Sequence, residues 1–148
     1  MNKQQQEKFA ELKQRFRTRP YGSQLSDEER KELQQFHQIE KMEDRLQFGS
    51  DYDWMVETLY KHDPIRLVPC EVPKDEYENE GRMILRRLAD LKPRTIETIQ
   101  QMVWEVFDKQ FSISADAGGK THYHSEAGKP TDAVYEAIAK EMYAKFCA

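Results

Sequence analysis

Two cysteines, Cys70 and Cys147, are too few for a disulfide framework, so nothing in this chain calls for an oxidising compartment. Apolar runs are short, and none approaches the roughly 18 residues that span a bilayer. The opening residues, Met1 to Glu7, hold no apolar stretch that would serve as a signal. The expectation is a cytoplasmic protein with reduced thiols and no membrane contact. Long blocks of Lys and Arg are missing as well. The richest basic stretch, Lys13, Arg15, Arg17 and Arg19, has no aromatic platform beyond Phe16. The net charge is −4, so nucleic acid is not an expected partner. No cofactor is expected.

What is present is a chain of 148 residues, enough for one compact domain with a real apolar core. Charged residues make up 34%, above the usual quarter, which implies a large area of solvent-facing helix. Aromatics at 11% argue against a disordered chain.

Apolar spacing predicts helices along most of the length. Phe9, Leu12 and Phe16 form a thin stripe over Lys3 to Arg17, which Arg19-Pro20-Tyr21-Gly22 ends. Ser26 to Glu29 reads as a capping box opening a helix with Leu33, Phe36, Ile39, Met42 and Leu46 along one side, closed at Gly49. Tyr52, Met55, Val56, Leu59 and Tyr60 line the next helix, with Trp54 beside them and Pro64 at its end. Pro64, Pro69 and Pro73 make the connector extended or turned.

Asp75 suits the start of a helix carrying Tyr77, Gly81, Ile84, Leu85, Leu88 and Leu91. Another begins near Thr95 with Ile96, Ile99, Val103, Val106, Phe107 and Phe111. Ser112 to Pro130 reads as a long loop, with Gly118-Gly119 as the turn of an alternative short β-ribbon. Thr131 caps a last helix with Val134, Tyr135, Ile138, Met142 and Phe146. The expected fold is all-α. An antiparallel four-helix bundle domain spans residues 49–148, and a helical arm or hairpin over 1–48 precedes it.

The helix Leu59 to Pro64 ending in Asp-Pro, the element Val72-Pro73-Lys74-Asp75-Glu76-Tyr77, Ile84, Leu88, Val106-Phe107 and Tyr135 to Ala139 together resemble the YugE-like small bacterial helical domains, a family of unknown function. The likeness covers about residues 52–146. It implies a helical fold and no particular chemistry. The sequence departs from the family at Arg66 to Cys70, where a glycine is expected after Asp-Pro.

Four constellations deserve chemical scrutiny. Asp75, Glu76, Glu78 and Glu80, followed by Glu105 and Asp108, resemble the metal-binding signature of MazG-like nucleotide pyrophosphohydrolases, in which helix carboxylates hold Mg²⁺ against a triphosphate. Asn79 stands where the third carboxylate belongs. Helical rotation puts Leu88 and Val103 inward, Glu80 at the flank of its helix, and Glu105 and Asp108 out in water on a different side. On that reading the two acidic sets share no metal. His122 and His124, with Glu126, form a candidate metal site, since alternate strand residues share a face. Cys70 reads as a small buried or half-buried residue and not a nucleophile. Trp54 and Trp104 lie at the edges of their stripes, where aromatic side chains anchor partners.

These readings favour a non-enzymatic protein-binding module, of immunity, adaptor or inhibitor type, acting through an acidic helical surface. Glu76, Glu80, Trp54, Trp104 and Tyr123 are its candidate contacts, and another protein with a basic face would be steered to it. The alternative is a metal-dependent nucleotide pyrophosphohydrolase-like enzyme built on the helix carboxylates.

Overall fold

The computed structural model describes residues 1–17, 25–114, 123–125 and 127–148. Among the described residues the protein is helical apart from one short ribbon, and it divides into two compact units, residues 1–47 and 48–148. The breaker segment Arg19 to Gly22 and the Gly118-Gly119 turn lie outside the described residues.

The first unit is a helical hairpin. Helix α1 (Lys3–Arg17) and helix α2 (Asp27–Phe48) bury Phe9, Leu12, Leu25, Leu33 and Phe36 between them, with Met1 and Ile39 packed at the edges. The capping box forms in both directions. The Glu29 N–H donates to Ser26 Oγ at 3.2 Å, and the Ser26 N–H donates to Glu29 Oε1 at 3.1 Å.

The apolar stripe expected along α2 does not stay on one side. Leu33 and Phe36 are buried, Ile39 is half-buried, and Met42 and Leu46 are 64% and 85% exposed. Successive steps of three residues each fall about 60° short of a full turn, so a run spaced 3-3-3-4 winds around the helix. Leu33 and Met42, nine residues apart, end on opposite sides of α2.

The second unit is an antiparallel bundle of four helices. These are α3 (Ser50–His62), α4 (Glu78–Asp90), α5 (Ile96–Phe111) and α6 (Ala133–Phe146). Helix α3 packs on α4, α4 on α5, α5 on α6, and α6 back on α3, which closes the ring. Met55 and Leu59, Tyr77, Ile84 and Leu88, Ile99, Val103 and Phe107, and Tyr135, Ile138 and Met142 fill the interior. Each such side chain contributes roughly 1.5–3 kcal/mol by leaving water, and this burial offsets the poor stability of short helices in isolation.

Gly81 lets α3 come close to α4. A Cβ at that position would stand 3.5 Å from Val56 Cγ2 and 3.6 Å from Met55 Cγ.

Two helix starts differ from the sequence reading. Helix α4 begins at Glu78 and not near Asp75, because Pro73 to Tyr77 is taken up in turns: the Glu76 N–H bonds the Pro73 carbonyl and the Glu78 N–H bonds the Asp75 carbonyl. Helix α6 is entered through Asp132 and not Thr131, and the Asp132 carbonyl accepts from the Tyr135 N–H. Between α5 and α6, β1 (Ser112–Ser114) pairs antiparallel with β2 (Tyr123–Ser125), with Ile113 opposite His124. The connector after α3 includes a single 3-10 turn at Val68–Cys70.

Candidate functional site

The acidic groups on α4 and α5 are placed differently from the sequence reading. Glu76 is exposed, but in the turns that precede α4 and not on the helix where the sequence reading put it. Glu80, expected at the flank, is 6% exposed, and its Oε2 has no hydrogen-bond partner. Burial raises its carboxyl above the ordinary carboxylate value, and the charge of Glu76 pushes in the same direction. Glu78 is also buried and accepts the Tyr52 hydroxyl from α3. Arg82 donates to Asn79 Oδ1 at 3.4 Å.

Leu88 and Val103 do point inward, at 4% and 0% exposure. Glu105 nevertheless does not stand apart from α4. Arg87 Nη2 reaches it at 2.6 Å across the α4–α5 seam, and that hydrogen bond, more than any other influence, holds its carboxyl below the usual value. The reach of a long arginine side chain joins positions that rotation alone puts on separate surfaces. Among the described residues no group of three His, Cys, Asp or Glu side chains is placed to hold a metal ion.

His122 and Glu126 lie outside the described residues. Tyr123 and His124 sit on β2, opposite Ser114 and Ile113.

Both tryptophans are half-buried. Trp54 meets Phe146 edge-on, with ring centroids 5.3 Å apart, and Lys145 lies over its face. Trp104 donates its indole N–H to the Gly128 carbonyl at 2.9 Å, next to the Tyr135 hydroxyl bond to the Ala127 carbonyl. Both rings thus work inside the bundle, one clamping α3 to α6 and the other tying α5 to the turn that feeds α6. Cys70 is exposed, contrary to the expectation of a buried or half-buried residue, because the 3-10 turn holds it outside the ring of helices.

A cavity of about 730 Å³ opens where α3 ends and α6 begins, lined in part by His62, Asp63, Arg66, Gly128 and Asp132. Three of its polar side chains, His62, Asp63 and Asp132, are engaged in holding the fold. Asp63, in a left-handed conformation, accepts from the Leu67 N–H at 2.7 Å and from the Tyr77 hydroxyl. Asp132 Oδ2 accepts from the Lys129 N–H at 2.9 Å. His62 meets Glu141 of α6, and Lys61 reaches the same carboxylate at 2.8 Å.

The hairpin presents a different surface. Phe16, at 45% exposure, stands with Leu33 at the floor of a groove between α1 and α2. Met42 and Leu46 project from the far side of α2. Sequence reasoning missed all three as surface residues. The signal was the drift of the α2 spacing and, for Phe16, its place in the last turn of α1.

Comparison with protein-family models, with curated proteins and with solved structures gave no match.

Proposed function

We propose that this protein is a non-enzymatic binding module, of adaptor, inhibitor or immunity type, and that its α1–α2 hairpin is the docking element. One observation carries the reading. Among the described residues the large apolar side chains left exposed are Phe16, Met42 and Leu46, and all three belong to the hairpin. The unit of residues 1–47 has five buried apolar side chains among its described residues, a small core, and leaving further apolar area in water is unfavourable unless something covers it. The bundle, by contrast, has a closed interior.

The acidic surface expected from the sequence loses Glu80 to the interior and keeps Glu76, so it contributes less to this reading than the hairpin does. Kinship with the YugE-like domains belongs to the same proposal, resting on the Pro73 to Tyr77 element.

The test is site-specific photo-cross-linking in the full chain, with the photoreactive residue at Met42 or Leu46 and, as control, at exposed Asn79 of the bundle. The expected result is a discrete adduct from the hairpin positions that excess wild-type protein competes away and a Met42→Ser/Leu46→Ser variant does not. Equal labelling from Asn79, or no adduct at either hairpin position, would remove the docking role.

A further inference from the structure

A two-helix hairpin has two seams, and here they differ in charge. One is a groove of about 420 Å³ with Phe16 and Leu33 at its floor and Lys13, Arg30, Gln34 and His37 around it. Among the described residues no carboxylate lines it. The other seam is lined in part by Glu7, Glu11 and Glu32, with Lys8. Next to the first groove, and sharing Gln34 with it, a shallower depression of about 510 Å³ is lined by Lys31, Gln34, Gln35, Gln38 and Ile39, again with no carboxylate among the described residues. Together they follow α2 from Arg30 to Ile39, roughly 14 Å at 1.5 Å per residue.

Two side chains of the first groove, Lys13 and His37, are held against Phe9. Lys13 Nζ sits 4.0 Å from the centroid of the Phe9 ring, and the His37 ring meets the same phenyl edge-on at 5.0 Å.

From this arrangement, and resting on the docking role proposed above, we infer that the partner segment is an amphipathic α-helix with acidic flanks, seated in the Phe16–Leu33 groove. A third helix laid in that seam converts a two-helix hairpin into a three-helix unit and covers the Phe16 ring. Its apolar residues at i, i+4 and i+7 rest on Phe16 and Leu33. Its carboxylates face Lys13, Arg30 and Lys31, which also sets the rate of encounter and its dependence on salt. A basic helix would be repelled from this seam.

The experiment uses the full chain and two synthetic 16-residue helices with the same leucine stripe, one flanked by Glu and the other by Lys, followed by fluorescence anisotropy. The Glu peptide is expected to bind at least tenfold more tightly than the Lys peptide and to weaken severalfold between 50 and 500 mM salt, by an order-of-magnitude reckoning from screening. Lys13→Glu/Arg30→Glu should invert the preference, with circular dichroism confirming retained helix content. Inversion by a folded variant is a result that mere loss of structure cannot produce. If both peptides bind equally and Phe16→Ser weakens both, the docking role stands and the acidic partner is overturned. If neither binds, this groove is not the helix site, while cross-linking from Met42 and Leu46 still decides the docking role. A dimer in sedimentation that Arg30→Glu dissolves would assign the groove to a second copy of the chain and overturn the inference.

Discussion

Arg15 of α1 and Glu29 of α2 are joined by two hydrogen bonds, Nη1 to Oε2 at 2.5 Å and Nη2 to Oε1 at 3.3 Å. Glu29 is also the returning half of the capping box, so one carboxylate both starts α2 and fastens it to α1. Its carboxyl is held down at about 2, first by Arg15 and then by the Ser26 N–H. A lowered carboxyl stabilises the fold fully above its unfolded value, about 4.3, and loses that contribution as pH falls through the folded value. The hairpin is therefore expected to lose helix between about pH 4.3 and pH 2. Glu29→Gln should lower helix content at pH 7 and flatten that acid transition. An unchanged acid transition by far-ultraviolet circular dichroism would show that the Arg15–Glu29 clasp does not hold the hairpin.

Glu80 has the opposite sign. Its carboxyl is raised by burial, so the protonated form is the one the interior accommodates. The stability it allows is complete below the unfolded carboxylate value and falls as pH rises through the folded value. Glu80→Gln should stabilise the protein above neutral pH by on the order of 1–2 kcal/mol, with little effect near pH 4. Urea melts at pH 4 and pH 8 measure this. A variant less stable than wild type at pH 8 would show that the ionised carboxylate has a compensating partner.

Gly81 faces α3 at ordinary van der Waals range. Gly81→Ala should be neutral or stabilising by up to about 1 kcal/mol, since it adds helix propensity at no steric cost. Gly81→Leu should destabilise by about 1–3 kcal/mol, because the extra carbons meet Met55, Val56 and Leu59. Equal stability of the two variants in thermal denaturation would contradict close α3–α4 packing.

Gly128 has φ +74°, and a Cβ there would stand 2.3 Å from Asp132 Oδ2. The Trp104 indole holds the Gly128 carbonyl. Gly128→Ala should destabilise by about 1–2 kcal/mol. Adding Asp132→Ala relieves the clash and leaves the backbone cost, so the double variant should recover only part of the loss. Full recovery in chemical denaturation would mean that backbone conformation at Gly128 is unimportant.

The all-helical fold was readable from the apolar spacing. Stripes at Met55 and Leu59, at Ile84 and Leu88, at Val103 and Phe107, and at Ile138 and Met142 are each long enough and regular enough to fix a buried face. The Ser26–Glu29 cap was readable for the same reason, as its two partners lie within four residues of each other. The candidate docking surface was not readable as such. The 3-3-3-4 spacing shows that Met42 and Leu46 turn away from Leu33, but which side of α2 is covered by α1 is decided by packing.

Local chemistry therefore settled which segments are helical and which residues have the composition of a core. Tertiary packing decided which side of each helix is covered. It put Glu80 inside without a hydrogen-bond partner for Oε2, carried Arg87 across to Glu105, and gathered Lys13, Arg30 and His37 around one apolar groove. Helix formation depends on neighbours three and four residues apart, which the sequence states directly. The environment of a side chain depends on which other helix lies against it, and no spacing along a single helix contains that information.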